Sequence, residues 1–541
     1  MRNTTNPAPP QHRGLVFGRQ GVVASASPLA TTAGIRVLSQ GGNAMDAALA
    51  TAFVTGVALP DQCGVGGDAF ILWYDAKTRN ICAVMGAGPS PLGISVSRMR
   101  EQGFHRMPLN GPYAIQVPGA VSAYRQAWET FGHLDWEELW EPAIGYANNG
   151  VPIGEVTARH IHAEREKILA NATLRDLFMP GGNPLHPGDI LYQNTLATTL
   201  KSIAESGGRS FYDGPLGESL LQSLQSQGAL FEGPEWTSYR CDEAAPLHTR
   251  YHSYQVFTTP LPSQGFILLE ALNLLESFPV EDYGYLHPRA IHLMAEALSA
   301  GFADRLDKVD MDRREVVETL LSKDYARRRL AAFGIAHTTF VPDASRFAGD
   351  TTFIVAADTD GNAACLVHSL GHSFGSGIMA NEYGVIMNNR VGRGFYLDPG
   401  PNQLAPGKRT MHTLMAWMVT DAEGSLLWAG GTPGGDGQPQ WNLQLLVNLL
   451  DFKLNPQQAC EAPRWTLFPG TDSDVVGKPA ELRMESRIAP GAGTTLAQWG
   501  YRIRRMDAWG AGGGAQIVGR TAQGGWVAGS DPRVDGHAAA W

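Results

Sequence analysis

Thr351 is the first of two residues whose setting in the sequence could turn a hydroxyl group into a nucleophile. It opens an alternating, partly β-branched run, and a polar, proline-containing segment at residues 334–350 precedes it. A threonine hydroxyl is a weak nucleophile, but the α-amine of the same residue can act as its base once the preceding peptide bond is cut. That amine titrates near pH ~8, so it can accept a proton near neutrality. Thr351 therefore fits an N-terminal threonine hydrolase, although β-propensity alone also places threonines at strand starts.

Ser373 is the second such residue, because residues 371–375 (GHSFG) match the G-x-S-x-G nucleophile elbow. That elbow requires a strand, a strained turn and then a helix. A strand is predicted before the motif, but the glycine-containing sequence GSGIMANEYG that follows is a poor helix former. A serine esterase that uses Ser373 therefore stays open as the less favoured alternative.

A β-hairpin is the element that must position Thr351. Residues 353–357 continue the alternating run, residues 359–362 (Thr-Asp-Gly-Asn) form a turn, and a second apolar run covers residues 363–370. Alternation that is interrupted by Asp-Gly is a strong short-range signal for a hairpin. The irregular segment at residues 334–350 predicts an exposed linker in front of the hairpin.

Helix and strand signals alternate over the rest of the chain, without an internal repeat. Asn43 is placed to cap the second helix, which ends before Pro60. The glycines at residues 64–67 precede a strand rather than a helix, which argues against a phosphate-binding loop. We predict helices at residues 30–38, 44–58, 120–131, 136–149, 194–206, 215–227, 266–275, 287–302, 322–333 and 439–450. We predict strands at residues 254–258, 384–389, 411–420, 426–430 and 525–529, and a loop at residues 390–408.

The composition excludes several classes of protein. With 541 residues, 43% of them hydrophobic and only 17% charged, the sequence predicts a compact enzyme with a large core. A formal net charge of -10 argues against nucleic acid as a partner. The five cysteines are widely spaced without a CxxC pair, which predicts free thiols in a reducing compartment and no zinc site. The polar N-terminus and the lack of a long apolar run predict a cytoplasmic protein without a membrane span.

Several stretches, in the order of the chain, carry a resemblance to a known family. They are GVVASASPLATTAGIRVLSQGGNAMDAALA, CGVGGDAFIL, VPGAVSAY, LPSQGFILLEALNLLE, AEALSAGFADR, GDTTFIVAADTDGNAA, FGSGIMANEYGVIMNN, TPGGDGQ, APRW and GSDPRVDG. On these residues the chain resembles the γ-glutamyltranspeptidase family of N-terminal nucleophile hydrolases over nearly its full length.

The resemblance implies a fold and a processing event. The fold is α+β, a four-layer αββα sandwich, and no cofactor and no metal are implied. The precursor is expected to cleave itself between Asp350 and Thr351 into a large subunit (residues 1–350) and a small subunit (residues 351–541). These would stay together as one globular α/β heterodimer, for which a dimer of heterodimers is one assembly.

The resemblance also implies roles for individual residues. Thr351 falls on the nucleophile, and Thr352 follows it as in the family. Ser369 stands where a second threonine orients the nucleophile and its amine. Gly434 and Gly435 match paired glycines whose backbone N–H groups form an oxyanion hole, and one such donor is worth roughly 2.7–4 kcal/mol of barrier. For the two glycines an ordinary turn is the alternative.

Several departures from the family pattern fall in the substrate pocket. Residues 85–89 (Met-Gly-Ala-Gly-Pro) lack the family's carboxylate-binding arginine, and Gly371 replaces an asparagine. Arg390 replaces a glutamine, and residues 391–393 (Val-Gly-Arg) lack the acidic residue that holds the glutamyl amine. The sequence therefore indicates that the glutamyl pocket has been dismantled.

Four residues are then the candidates for binding a different substrate, namely Arg390, His412, Thr413 and Asn389. His412 and Thr413 replace a serine pair of the family. Arg390 could hold a carboxylate by two parallel hydrogen bonds, and His412 could add a donor. The alternatives are a surface salt bridge for Arg390 and a packing role for His412. The first interpretation predicts a small or purely anionic substrate without an α-ammonium group.

The predicted function is hydrolysis of the amide of a small anionic substrate by a self-processed N-terminal threonine. Oxamate, converted to oxalate and ammonia, is the best guess, because the chain resembles the non-glutamyl branch that includes oxamate amidohydrolase, an enzyme of purine-derived nitrogen use. A γ-glutamyl hydrolase or transpeptidase acting on glutathione-like substrates is the alternative within the family. A serine esterase using Ser373 and a catalytically inactive binding protein are alternatives from other classes.

Overall fold

The computed structural model describes residues 11–310, 313–330, 350–471 and 475–541. The strands in these ranges are β1 Val16–Gly18, β2 Val22–Ser25, β3 Asp68–Asp75, β4 Asn80–Gly86, β5 Val151–Pro152, β6 Ile190–Leu191, β7 Asp242–Ala244, β8 Leu247–Tyr251, β9 Tyr254–Thr258, β10 Asp350–Ala357, β11 Ala363–Gly371, β12 Met379–Ala380, β13 Val385–Ile386, β14 Trp417–Thr420, β15 Leu426–Gly431, β16 Trp465–Phe468, β17 Glu481–Glu485, β18 Ile503–Met506, β19 Gln516–Arg520, β20 Trp526–Ser530 and β21 His537–Ala540.

The helices in the same ranges are α1 Pro28–Ser39, α2 Ala44–Ala58, α3 Val96–Glu101, α4 Ala120–Phe131, α5 Trp136–Asn149, α6 Glu155–Ala163, α7 Arg165–Leu169, α8 Ala172–Phe178, α9 Asn194–Glu205, α10 Pro215–Ser226, α11 Pro234–Thr237, α12 Gly265–Leu275, α13 Val280–Tyr283, α14 Pro288–Asp307, α15 Arg314–Leu320, α16 Lys323–Leu330, α17 Arg390–Gly394, α18 Gly437–Leu450, α19 Pro456–Glu461 and α20 Pro490–Gln498.

Two seven-stranded sheets form the centre of the molecule. The first has the strand order β1-β20-β19-β15-β14-β9-β8, and the second has the order β21-β2-β10-β11-β3-β4-β7. Neighbouring strands in both sheets are antiparallel. Each sheet takes strands from both sides of residue 351, so the residues before and after that point build one sandwich together.

Apolar side chains fill the space between the sheets and cover both outer faces. The layer between the sheets includes Phe70, Phe353, Met418 and Val518. Helices α1, α2 and α4 pack on the second sheet. Helix α12 packs on the first sheet with α14 and α18 beside it. These layers are the predicted four-layer αββα sandwich, which is thereby confirmed.

The predicted hairpin is formed by β10 and β11, and it lies at the centre of the second sheet. Phe353 and Val355 face the layer between the sheets, whereas Ile354 and Ala356 face helix α2. All four side chains are fully buried. A strand that is buried on both faces is apolar at successive positions, so residues 353–357 form a continuous apolar run and the predicted alternation was wrong.

Helix α2 runs beneath this hairpin and is capped as predicted. The Asn43 side chain accepts hydrogen bonds from the N–H groups of Met45 and Asp46, and the Asp46 carboxylate accepts one from the Asn43 N–H. This reciprocal arrangement satisfies the first free N–H groups of the helix. Nearly every α2 residue is buried, because the helix lies between the sheet and further helices.

Two predicted strands are shorter than expected, and one predicted loop contains a helix. Strand β13 covers only Val385–Ile386, and β14 begins at Trp417 rather than at residue 411. In the segment before β14, the His412 N–H donates to the Pro262 carbonyl at 2.8 Å. This segment therefore pairs with a loop rather than with the sheet. The short helix α17 forms the beginning of the loop predicted at residues 390–408.

The predicted linker at residues 334–350 lies outside the described residues except for Asp350, which belongs to β10. The end of the helix predicted at residues 322–333 also lies outside them. All five cysteines are free thiols. Among the helices in the described ranges, none has the length and apolar character needed to cross a membrane.

Candidate active site

Thr351 lies where the pairing of β10 with β11 is irregular. Asp350 pairs with Gly371 and Thr352 pairs with His368, so Ser369 and Leu370 together stand opposite the single residue Thr351. Such a β-bulge changes the direction of a side chain and is common beside active sites. At this bulge the Thr351 hydroxyl donates a hydrogen bond to the Ser369 hydroxyl over 2.9 Å.

Ser369 is the residue to which the family resemblance assigns the orientation of Thr351. Its hydroxyl also accepts a hydrogen bond from the Gly371 N–H at 2.8 Å. Ser369 is completely buried and Thr351 is 1% exposed. The two hydroxyls are thus held together out of bulk water, inside the sandwich.

Thr352 points to the opposite face of the sheet, beside the buried His368 and Cys63. Burial lowers the pKa of His368 to about 3, so this imidazole is neutral near pH 7. Its ring nitrogens are hydrogen-bonded to Tyr124 at 2.7 Å and Thr55 at 2.9 Å. Burial raises the pKa of the Cys63 thiol to about 12, against the opposing effect of the Thr352 and Thr55 hydroxyls. This face therefore packs against α2, and its thiol is protonated at neutral pH.

Gly434 and Gly435 form the turn between β15 and α18, with φ angles of 123° and 55°. A Cβ atom on Gly434 would lie 2.1 Å from the Trp441 ring, and one on Gly435 would lie 2.2 Å from an Arg393 nitrogen. Their carbonyls accept hydrogen bonds from Gly437 and Gln438 in the first turn of α18. The positive φ angles and these close approaches favour glycine at both positions, and the first turn of the following helix is hydrogen-bonded to their carbonyls.

The glycine turn and the start of β10 are close together. Strand β15 ends at Gly431, where an added Cβ would lie 2.2 Å from the Phe353 ring. Phe353 is two residues after Thr351, so the first sheet presents the turn to the start of β10 in the second sheet. An oxyanion hole for Thr351 requires, in addition, that the N–H groups of Gly434 and Gly435 face the reacting carbonyl.

The predicted substrate-binding residues Arg390 and His412 meet at a buried carboxylate that sequence reasoning missed. Asp68, the first residue of β3, has its Oδ2 atom 2.9 Å from His412 Nε2 and 3.3 Å from Arg390 Nε. Arg390 Nη1 donates to the Thr413 hydroxyl at 3.2 Å. The two residues predicted to bind substrate therefore share a carboxylate partner from a strand that is distant in the sequence.

His412 is neutral and has a partner at each ring nitrogen. Burial, and secondarily the Arg390 charge, lower its pKa to about 4. Nε2–H donates to Asp68, and Nδ1 accepts from the Leu414 N–H at 3.3 Å. This geometry favours the packing alternative for His412 over a role as substrate donor. Arg390 is 1% exposed, so the alternative of a surface salt bridge was wrong.

Asn389 organises the turn after β11. Its Oδ1 atom accepts from the His372 N–H at 3.1 Å, and its Nδ2 donates to the Leu109 carbonyl at 3.0 Å. Gly371, with φ of 107°, lies so close that an added Cβ would be 2.1 Å from Asn389 Oδ1. A side chain at position 371 would require the Asn389 amide to move, and the positive φ adds strain for residues other than glycine.

Ser373 does not form a nucleophile elbow. After β11 the chain turns through Phe374 and Gly375, both with positive φ, and residues 372–380, all described, contain no helix. The backbone carbonyl of Ser373 accepts a hydrogen bond from Lys167 at 2.7 Å. The strand–turn–helix context that the motif requires is therefore missing.

Further residues around the site were not identified from the sequence. Arg393 donates to the Gly371 carbonyl at 3.0 Å and lies against Gly435. Behind the glycine turn, Arg305 is paired with Asp436 at 2.6 Å. Both members of that pair occur in motifs with a family resemblance, AEALSAGFADR and TPGGDGQ, which was the available signal. In the described part of the chain, no three His, Cys, Asp or Glu side chains are grouped as metal ligands.

Comparison with known proteins agrees with this architecture. Residues 30–541 match the family model described as Gamma-glutamyltranspeptidase. The glutathione hydrolase-like YwrD proenzyme of Bacillus subtilis (strain 168) is 34% identical over 531 residues, 97% of this chain and 99% of that protein. The acylase ACY 1 proenzyme of Pseudomonas sp. (strain V22) is 32% identical over 506 residues, 90% of this chain and 88% of that protein.

A solved structure extends the comparison to three dimensions. The crystal structure of a cephalosporin acylase from Bacillus halodurans has a TM-score of 0.89 and 31% sequence identity, and the match covers 100% of this chain and 99% of that chain. The sequence match and the structural match both span nearly the whole molecule. The chain therefore belongs to the gamma-glutamyltranspeptidase family of N-terminal nucleophile hydrolases.

Proposed function

We propose that this protein cleaves itself between Asp350 and Thr351 and then hydrolyses an amide bond with Thr351 as the nucleophile. The hydrogen bond between the Thr351 and Ser369 hydroxyls, 2.9 Å long and buried between the sheets, is the observation that carries this proposal. Two relatives are themselves named proenzymes, which supports the processing step.

In the first step the Thr351 hydroxyl adds to the Asp350 carbonyl, and the bond from that carbonyl to the Thr351 nitrogen breaks. An ester and a free α-amine result, and water then hydrolyses the ester. The two products are a large subunit ending at Asp350 and a small subunit beginning at Thr351. Because strands from both share each sheet, the subunits stay associated as a heterodimer.

During turnover the Thr351 amine takes the proton of the Thr351 hydroxyl, and the oxygen attacks the substrate carbonyl. The N–H groups of Gly434 and Gly435 stabilise the negative charge that forms on the carbonyl oxygen. The amine or ammonia leaves with a proton, and water attacks the acyl-enzyme to release the acid. Ser369 orients the nucleophile throughout.

For the substrate we place γ-glutamyl amides of the glutathione type first. The support is the name of a relative that the chain matches over nearly its whole length, a glutathione hydrolase-like proenzyme. The absence of an arginine from residues 85–89 is unfavourable for this class, so the carboxylate of such a substrate needs another partner.

Oxamate is the second candidate, and one contact favours it. Arg393 is 3% exposed, and its guanidinium lies beside Gly435. A carboxylate directly bonded to the reacting carbonyl, as in oxamate, would lie next to this cation when the carbonyl oxygen points at the glycine N–H groups. We also propose a cytoplasmic location, which the free thiols favour.

The test begins with the purified chain on a denaturing gel and N-terminal sequencing of the smaller fragment. We expect two bands and a sequence that starts TTFIVAAD, and a single uncut band for Thr351→Ala. Ser373→Ala is the control and should be cut and active. Release of amine or ammonia from glutathione, a γ-glutamyl anilide and oxamate then decides the substrate. A native chain that stays uncut, or a Ser373→Ala variant that alone loses activity, would overturn the proposal.

A further inference from the structure

A buried ion pair lies directly behind the glycine turn. Arg305 Nη1 is 2.6 Å from Asp436 Oδ1, and the two side chains are 6% and 2% exposed. Asp436 is the residue between Gly435 and α18, but its side chain makes no capping hydrogen bond to that helix. Its carboxylate instead accepts from the Thr471 hydroxyl at 2.9 Å and faces Arg305.

Arg305 is also linked to the turn through a second route. It donates to Oε1 of Gln264, and Nε2 of Gln264 donates to the carbonyls of Gly435 at 3.1 Å and Thr413 at 3.2 Å. One guanidinium therefore fixes the carboxylate that follows Gly435 and, through an amide, the carbonyl of Gly435 itself. Both contacts hold the turn from the side of Arg305.

The helix that carries Arg305 is itself held in place at the neighbouring residue. Asp304 accepts hydrogen bonds from Lys308 and from Tyr325 of α16, each at 2.5 Å. Arg305 thus projects from a fixed element, α14, into the back of the turn. Arg305 lies before residue 351 and Asp436 after it, so the pair crosses the proposed cut.

We propose that Arg305 is a positioning residue that holds the Gly434–Gly435 turn in the geometry of an oxyanion hole. The inference rests on the proposed function. Oxyanion-hole hydrogen bonds strengthen as the tetrahedral oxyanion forms, so a displaced turn lowers kcat more than it raises KM. Arg305 does not touch the substrate and acts through Gln264 and Asp436.

The test compares Arg305→Met and Arg305→Lys with Asp451→Asn as the matched control. Asp451 is a buried carboxylate at the opposite end of α18, and it accepts a 3.1 Å hydrogen bond from Tyr251. For Arg305→Met we expect kcat to fall roughly 10- to 100-fold, with KM changing by less than about threefold. Arg305→Lys should recover part of this loss, and Asp451→Asn should keep its kcat.

The affinity for an alkyl boronic acid reports on the oxyanion site itself, and a lower stability of the fold alone does not change it. The boronic acid forms a tetrahedral adduct with the threonine hydroxyl, and one of its oxygens occupies the oxyanion position. We expect its inhibition constant to rise in Arg305→Met in parallel with the fall in kcat, and to stay unchanged in Asp451→Asn. Melting temperatures of all variants separate folding from catalysis.

The inference is overturned if the boronate affinity and kcat of Arg305→Met stay within about threefold of the native values. If Arg305→Met does not fold, the same two quantities, kcat and boronate affinity, are measured in Arg305→Lys and Asp436→Asn. Values within about threefold of the native ones in both variants then overturn the inference. Failure of the proposed function would look different, because the native chain would then be uncut and would release no amine from any substrate.

Discussion

The hydroxyl of Thr351 and the hydroxyl of Ser369 are joined by a 2.9 Å hydrogen bond across the bulge of the central hairpin. Both side chains are buried, and Ser369 is anchored in turn by the Gly371 N–H. Among the described residues, the Ser369 hydroxyl is thus placed to orient the candidate nucleophile.

Replacing Ser369 by alanine should slow both self-cleavage and turnover. A net hydrogen bond of about 0.5–1.5 kcal/mol corresponds to a roughly 2- to 10-fold change in rate. The measurement is the time course of fragment appearance on a denaturing gel, together with kcat of the mature enzyme. Ser369→Thr keeps the hydroxyl and should stay close to the native rates. Equal rates for the alanine variant and the native chain would remove Ser369 from the mechanism.

Replacing Gly434 by alanine should abolish most activity. A Cβ atom there would lie 2.1 Å from Trp441, and an alanine at φ of 123° is strained as well. Loss of one oxyanion donor lowers kcat by about 10²–10³-fold, so we expect at least that effect in an amide-release assay. Gly145→Ala is the control, because a Cβ at this position in α5 meets nothing within 4 Å. This control should be fully active and more stable by about 0.5–1 kcal/mol.

Replacing Asp68 by asparagine should destabilise the whole protein. The change removes the 3.3 Å contact between the Asp68 carboxylate and the buried Arg390 guanidinium, and breaking a buried pair in this way costs about 3–5 kcal/mol. Urea denaturation of an uncut Thr351→Ala background measures the free energy of unfolding without interference from processing. Asp398→Asn, which breaks an exposed ion pair with Arg100, should change it by only about 0–1 kcal/mol. Equal losses in the free energy of unfolding for Asp68→Asn and Asp398→Asn would contradict a stabilising role of the buried Asp68–Arg390 pair.

The stability of the fold should fall as the pH drops below about 6.5. His368 and His412 have pKa values lowered by burial to about 3 and about 4, whereas both return to about 6.5 in the unfolded chain. Between these values the unfolded state binds more protons, so each histidine contributes a slope of roughly 1.4 kcal/mol per pH unit. This stability is fully present above pH ~6.5 and is lost as the pH falls toward the folded-state pKa.

The slope is obtained from the free energy of unfolding, measured by urea denaturation at a series of pH values from about 4.5 to about 7.5. His368→Gln should reduce the slope, because glutamine does not titrate. His186→Gln is the control, since the side chain of His186 is 73% exposed, and it should leave the slope unchanged. A slope that His368→Gln does not alter would show that His368 does not titrate on unfolding.

Local patterns predicted much of the architecture. The turn at residues 359–362 between two apolar runs predicted the hairpin, because an Asp-Gly turn between two apolar runs is a short-range signal. Asn43 as the cap of α2 follows from the same kind of signal and is confirmed. The strand predicted at residues 411–420 was too long, because residues before Trp417 hydrogen-bond to a loop around Pro262, which no local pattern reveals.

For the candidate site too, some features could be predicted from the sequence and others could not. The roles given to Thr351, Ser369, Gly434 and Gly435 came from the resemblance to the family, and their geometry agrees with those roles without testing them. The environment of His412 could not be predicted, because its partner Asp68 is 344 residues away in the sequence. The pKa of a histidine depends on burial and on neighbouring charges, and both are properties of the packed structure.

By itself the sequence determined the family, the order of the longer helices, the central hairpin and the identity of the threonine that begins it. Only the tertiary structure decided which side chains meet, since side chains from distant strands approach one another once two sheets pack face to face. That packing pairs Arg390 and His412 with Asp68. It also places Arg393 beside Gly435 and Arg305 behind it, contacts that depend on distances between elements rather than on spacing along the chain.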